Sequence, residues 1–264
     1  MAFTRINSRV LHWSAAGRHE GPVVVFINSL GSDFRIWAGV VKQLAPHYRI
    51  VLYDKTGHGL SDTSSDCTTI DAHVDDLMGL LDALKIDQCA VVGLSVGGMI
   101  AQRFAVRKPA RVKTLVLCDT AAKIGTHESW TSRIEAVQTS GLASIADAVL
   151  ERWFTAEFCS MRPAELSGWR NMLVRTPAEG YIATCKALRD ADLRSDACRI
   201  SAPTLCLVGD EDGATPPDLV RGTAALIPNA RFEVIAGAGH LPCIEKPVQL
   251  GNLIVEHLKE TGHV

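Results

Sequence analysis

The sequence predicts an α/β fold: a mostly parallel, twisted sheet flanked by helices and interrupted by a helical cap. Three observations carry this. Short β-branched runs alternate with longer helical patterns, as in a parallel sheet covered by helices. The strand-like runs from Val23–Ile27 to Arg231–Ile235 are near-continuously apolar, which fits strands buried on both faces. Between about Thr120 and Ser201 the alternation stops and only helical stretches follow.

The elements follow in order. An opening hairpin pairs Phe3–Ile6 with Val10–Ser14, turning near Asn7 and Ser8. Later strands fall at Val23–Ile27, Arg49–Tyr53, Ala90–Val92, Val112–Cys118, Thr204–Val208 and Arg231–Ile235. Helical patterns lie at Phe34–Leu44, Ile70–Leu84, Val96–Arg107, Pro217–Ile227 and Pro247–Lys259. In the second of these, Val74, Leu77, Met78 and Leu81 recur at i, i+3, i+4 and i+7, an amphipathic stripe. Proline opens each of the last two, where a missing N–H costs nothing. The core domain is expected to comprise residues 1–120 and 201–264, with a helical cap at 121–200. A strand-poor insertion between core strands belongs over the C-terminal edge of the sheet, where open α/β sheets bind ligands. Three of the five tryptophans, Trp130, Trp153 and Trp169, fall within it.

Composition narrows the function. The 264 residues are 47% hydrophobic and 21% charged, with 27 Lys and Arg against 29 Asp and Glu, a net charge of -2. No basic excess invites nucleic acid or an anionic membrane. The most membrane-like stretch, Cys89–Ala101, is broken by glycines and too short to span a bilayer. The eight cysteines form no C-x-x-C pair and several sit inside apolar runs, so they read as reduced core residues. With no basic-then-apolar leader at the start, the chain is expected in the cytoplasm.

The strongest chemical signal is Gly93-Leu94-Ser95-Val96-Gly97, a G-x-S-x-G between an apolar strand and a helix. Such a turn forces its serine into a strained backbone and leaves no room for neighbouring side chains, hence the glycines. Ser95 is therefore the expected nucleophile. A serine needs a base. His240, in the glycine-rich loop Ala236–Pro242 between the last strand and the last helix, can swing over it. His58, in Gly57-His58-Gly59, competes for that role but reads as structural. The acid should fall between serine and histidine in the chain. Asp212, in Gly209-Asp210-Glu211-Asp212, is preferred because the chain turns before it, with Asp119 as the alternative and Asp210 and Glu211 as solvated charges. The acid would fix the imidazole tautomer and stabilise the imidazolium. Backbone N–H groups of Val96 and of Leu30, in the loop after Val23–Ile27, would form the oxyanion hole. No H-E-x-x-H, P-loop or dinucleotide fingerprint is present, and no cofactor is implied.

With these residues in hand, the chain resembles the α/β-hydrolase superfamily over nearly its whole length, and within it the 3-oxoadipate enol-lactonases. The resemblance rests on N-S-L-G-S-D at Asn28–Asp33 and G-L-S-V-G-G at Gly93–Gly98. In the cap it rests on T-A-A-K-I at Thr120–Ile124, W-x-x-R-I at Trp130–Ile134, R-W-F-T at Arg152–Thr155 and A-L-R-D-A-D at Ala187–Asp192. One departure is Asp54–Gly59, where Thr56 precedes the first glycine and many relatives carry Arg; it concerns a loop contact rather than the chemistry. The resemblance implies hydrolysis of an anionic enol lactone to 3-oxoadipate in aromatic-acid catabolism. Arg133 would then read the substrate carboxylate through its planar fork, and Trp130 and Trp153 would line the pocket. An esterase or cofactor-free perhydrolase with another cap specificity is the alternative, and a non-catalytic ligand receptor a remote one. The expected partner is a small anionic lactone, not nucleic acid or membrane, and self-association into a homo-oligomer stays open.

Overall fold

The computed structural model describes residues 1–264. Eight strands form one sheet: β1 (Ala2–Ile6), β2 (Arg9–Gly17), β3 (Val23–Ile27), β4 (Arg49–Tyr53), β5 (Cys89–Leu94), β6 (Val112–Cys118), β7 (Thr204–Gly209) and β8 (Arg231–Ile235). Their spatial order is β1-β2-β4-β3-β5-β6-β7-β8. The β1–β2 and β2–β4 pairs are antiparallel, and every other pair is parallel.

The strands anticipated from sequence are all present, several of them longer. The apolar runs of β3 to β7 are buried, with β5 buried throughout. Burial on both faces does not extend to β8. As an edge strand it carries Arg231 and Glu233, and Val234 stays exposed. The first helical pattern also divides. Asp33 accepts from the Arg35 N–H and starts a 3₁₀ turn over Phe34–Trp37, which passes into α1 (Ala38–Leu44).

Core helices α2 (Ile70–Ala83) and α3 (Val96–Arg107) pack on each other, and α3 also lies against β5 and β6. The predicted stripe of α2 is its packed face, with Val74, Leu77 and Leu81 buried and Met78 half-buried. Thr69 caps it by accepting from Ala72 N–H.

Between β6 and β7 come α4 (His127–Ser140), α5 (Ala146–Trp153), α6 (Ala156–Met161), α7 (Pro163–Val174), α8 (Ala178–Asp190) and α9 (Arg194–Ala197). These helices do not form a separate core. One contiguous cluster of buried side chains runs from Val92 and Val116 in the sheet to Trp130, Leu173 and Leu188. Contact with the rest of the fold is close at Gly57 and Gly180, whose backbones meet so tightly that a Cβ on either would strike the other. After β7 come α10 (Pro217–Leu226), α11 (Pro242–Glu245) and α12 (Pro247–Glu260), the last packed on α1. No helix is long and apolar enough to cross a membrane.

Candidate active site

Ser95 stands at the turn from β5 into α3 with φ 57° and ψ −121°, a strained conformation for a residue with a side chain. The strain is held from both sides: Ser95 N–H donates to Cys118 O on β6, and Ser95 O accepts from the N–H groups of Gly98 and Met99. The glycines of the motif are required by space. A Cβ on Gly93 would lie 2.3 Å from Gly97 O, and one on Gly97 would lie 2.3 Å from Ile27 O. Ser95 is thereby lifted to the C-terminal edge of the sheet, at the N-terminus of α3.

Asp212 follows β7 after a turn closed by its N–H on Gly209 O. Its carboxylate is buried and densely hydrogen-bonded. Oδ1 accepts from the N–H groups of Ala214 (2.7 Å) and Thr215 (2.9 Å), and Oδ2 from the Thr215 hydroxyl (2.6 Å). Both oxygens lie within 3.0 Å of His240 Nδ1. Burial alone would push this carboxyl up, but His240 and the Thr215 donors outweigh it and hold it below its usual range. An acceptor on Nδ1 places the imidazole N–H there and leaves Nε2 to accept.

His240 is set by its loop. Glu245, half-buried on α11, accepts from Gly239 N–H (2.7 Å) and, through its other oxygen, from the Thr155 N–H and hydroxyl. Leu241 N–H donates to Trp153 O at the end of α5. The loop that carries the imidazole is thus tied to the helices between β6 and β7. Ser95 and His240 line one cavity, with no direct hydrogen bond joining Ser95 Oγ to the imidazole.

The Leu30 and Val96 amides donate to nothing within the chain. Leu30 lines the same cavity, and Val96 follows the serine. The loop bearing Leu30 is pinned by several contacts, three of them from side chains to or within its backbone at Asn28–Ser32. Asn28 Nδ2 donates to Ser32 O, Gly31 N–H donates to His58 Nε2 (3.0 Å), and Lys55 Nζ donates to Ser29 O (2.5 Å). His58, the competing histidine, is therefore fully buried and committed as an acceptor; burial, with Lys55 second, holds it well below the ordinary imidazole range. At the Asp54–Gly59 departure, Thr56 Oγ1 donates to Asp76 (2.6 Å), whose other oxygen takes Arg9 Nη2 (2.7 Å) from β2.

The roof of the cavity comes from α4, α5 and α8. Trp130 and Trp153 both line it, each largely buried, and Trp130 Nε1 donates to Ile124 O. Arg133 lies with its guanidinium 5.1 Å from the Trp130 ring centre and has no carboxylate partner. A second cation was not foreseen. Arg152 lines the cavity too, its Nε donating to Gly213 O, and no carboxylate closes an ion pair with it. Desolvation lowers its pKa and the neighbouring Arg133 charge lowers it further, against a weaker opposing effect of the Asp212 charge. The signal was present in R-W-F-T, where Arg152 immediately precedes a pocket tryptophan, but the fold of α5 decides which way each points. Of the other acids weighed, Asp119 lies buried next to Asp212, while Asp210 and Glu211 are exposed, Asp210 accepting from Gly237 and Ala238 N–H.

A profile described as the alpha/beta hydrolase fold matches residues 22–140 and 164–247. The chain is 36% identical to the "3-oxoadipate enol-lactonase 1" of Acinetobacter baylyi over 92% of this chain and 91% of that protein. It is 31% identical to a pimeloyl-[acyl-carrier protein] methyl ester esterase of Chromobacterium violaceum, over 91% of this chain and 95% of the other. Among solved structures, the enol-lactonase from Burkholderia xenovorans LB400 superposes with a TM-score of 0.95 at 36% identity, covering 98% of this chain and all of that one.

Proposed function

The chain belongs to the 3-oxoadipate enol-lactonase family of alpha/beta hydrolases and is a carboxylic ester hydrolase; from that premise we propose that Ser95, His240 and Asp212 open 3-oxoadipate enol-lactone to 3-oxoadipate. The observation that carries the substrate is the pair of guanidiniums, Arg133 and Arg152, without acids in the cavity that Ser95 and His240 line. Two such cations side by side repel, and an anion between them relieves the cost. A neutral ester would leave it unrelieved.

In this reading Ser95 Oγ attacks the lactone carbonyl while His240 Nε2 takes its proton. Charge gathers on the carbonyl oxygen, and the Leu30 and Val96 N–H groups, with no other acceptor, donate to it. The ring C–O bond then breaks and His240 returns the proton to the departing enol oxygen. That enol relaxes to a ketone, so the ring has little tendency to close again. Water, deprotonated by His240, attacks the acyl-enzyme and frees the second carboxylate. Asp212 holds the imidazole N–H at Nδ1 throughout. The acetate arm of the substrate pairs with Arg133 and Arg152, and Trp130 and Trp153 cover the ring. Eight free cysteines, six of them buried, support a cytoplasmic setting for this chemistry.

The test compares freshly generated enol lactone, followed by loss of ultraviolet absorbance, with a neutral p-nitrophenyl ester. A kcat/KM for the lactone several orders above that for the ester is expected. Preference for the ester would keep the serine mechanism and replace the substrate, in line with the methyl ester esterase relative.

A further inference from the structure

Lys55 follows β4 and is one of the largest fully buried side chains, with 1% of its surface exposed. It is absent from the chemistry described above. An ammonium is a costly group to bury, so its surroundings are informative. It has one hydrogen-bond acceptor within the chain, the carbonyl oxygen of Ser29 at 2.5 Å, which Lys55 shares with the longer contact from Ser32 Oγ at 3.0 Å. Asp54 and Asp33 exert the largest charge effects on it, and neither closes an ion pair with it: Asp33 is bound to Arg35 and Asp54 to His12.

The Ser29 carbonyl and the Leu30 N–H belong to one peptide unit. That unit is planar, with C=O and N–H pointing in opposite directions. Holding the oxygen inward against Lys55 therefore turns the Leu30 N–H outward, on the side where Leu30 lines the cavity with Ser95. The contact is also electronic. A donor on the carbonyl draws charge towards oxygen and leaves the amide nitrogen more positive, so its N–H donates more strongly, as in any chain of polarised hydrogen bonds.

We propose that Lys55 is a positioning residue for the oxyanion hole: through the Ser29–Leu30 peptide it orients and strengthens the Leu30 N–H that meets the transition-state oxyanion. This rests on the reading of Ser95 as nucleophile and Leu30 as oxyanion donor. Because the oxyanion develops only in the transition state, the contribution belongs to kcat rather than to ground-state binding. Burial keeps the side chain near the point of losing its proton, with a pKa lowered to about 7, and the neutral amine still donates to Ser29 O. His58, on Gly31 N–H, fixes the next peptide along and does not touch this one.

The test uses the neutral substrate p-nitrophenyl acetate and an arylboronic acid that mimics the tetrahedral adduct on serine. Rates are referred to the number of sites titrated by the acyl burst, so that misfolded molecules do not count. Lys55→Met is expected to lower kcat by about 10- to 100-fold with KM changed less than about threefold, and to weaken boronate binding by a similar factor. Binding of adipate, a ground-state anion, should be unaffected. Lys55→Gln, which keeps an N–H donor without charge, should fall between Lys55→Met and the unmutated protein. Unchanged kcat in both variants, or a loss confined to KM, overturns the proposal while leaving the nucleophile assignment intact. If the unmutated protein shows neither burst nor turnover, the underlying reading fails instead, and Lys55 with it.

Discussion

Asp119 and Asp212 come within 4.8 Å of each other and of His240, yet only Asp212 hydrogen-bonds the imidazole. Asp119 adopts φ 47° after β6, gives one oxygen to Gly209 N–H at 2.9 Å and leaves the other without a partner. Burial, reinforced by the charge of Asp212, pushes Asp119 well above the usual carboxylate range. Asp212 keeps its charge because its donors converge on it. Two carboxyl groups so placed take opposite states, one charged and one neutral.

The first prediction separates them. Asp212→Asn should lower kcat by about 10³–10⁴-fold, since an amide favours the wrong imidazole tautomer. Asp119→Asn replaces a neutral acid by a neutral isostere at a positive φ that Asn tolerates, and kcat should stay within about threefold. Steady-state kinetics on both variants decide it. The reverse pattern would make Asp119 the acid.

Removing the proposed nucleophile is the plainer case. Ser95→Ala should lower turnover by at least about 10³–10⁴-fold, and a fluorophosphonate probe should no longer label the protein. Near-normal turnover would dismiss the serine mechanism.

The paired arginines predict a split between substrates. Arg133→Ala and Arg152→Ala should each raise KM for the anionic lactone by about 10-fold or more, the scale of a charge-assisted contact, and leave KM for a neutral ester nearly unchanged. Both line one cavity and their charges act on each other; if they bind one carboxylate together, the double variant should lose less than the product of the single losses. Equal effects on lactone and ester would mean that the cations only shape the cavity.

Glu245 joins the His240 loop to Thr155, and its loss leaves the Gly239 N–H and the Thr155 N–H and hydroxyl unpaired in a mostly buried place. Glu245→Ala should cost about 1–3 kcal/mol in urea unfolding. It should also lower kcat, because the loop no longer holds the imidazole. A stability loss with kcat intact would show that His240 is positioned by Asp212 alone.

How much of this could be read in the residues depends on whether the requirement is local. The strained turn at Ser95 needs Gly93 and Gly97 beside it, the chain must turn between Gly209 and Asp212, and the His240 loop is punctuated by glycines. Each need is written within a few residues of the functional group. The half-exposed β8 was missed because edge position is a property of the whole sheet. Arg152 was missed because its direction depends on how α5 packs against the loop at Leu241. Lys55 is the extreme case: a lysine at a strand end reads as solvated, and only the parallel pairing of β3 with β4 brings the Asn28–Asp33 loop over it.

The same burial makes a prediction about pH. Burial lowers Lys55 from 10.5 to about 7, with Asp54 and Asp33 too weak to offset it. Below pH 7 the side chain is charged in the folded and unfolded chain alike, and the fold bears the full cost of the buried ammonium. Between pH 7 and 10.5 the folded chain has released a proton that the unfolded chain retains, so unfolding takes up about one proton. Stability from this group therefore rises with pH through that window, by up to about 1.4 kcal/mol per pH unit, and is lost as pH falls through 7. The other groups facing it that shift lie elsewhere: His73 is lowered to about 3, His58 is held well below 6.5, and Cys67 is raised to about 12. Urea unfolding of the unmutated protein and of Lys55→Met at pH 7, 8 and 9 isolates the contribution, because groups common to both cancel in the difference. The stability gained by Lys55→Met should shrink as pH rises. A difference that is flat or widens over this range would mean that the Lys55 proton stays on, and that the Ser29 carbonyl faces a full ammonium at every pH the enzyme meets.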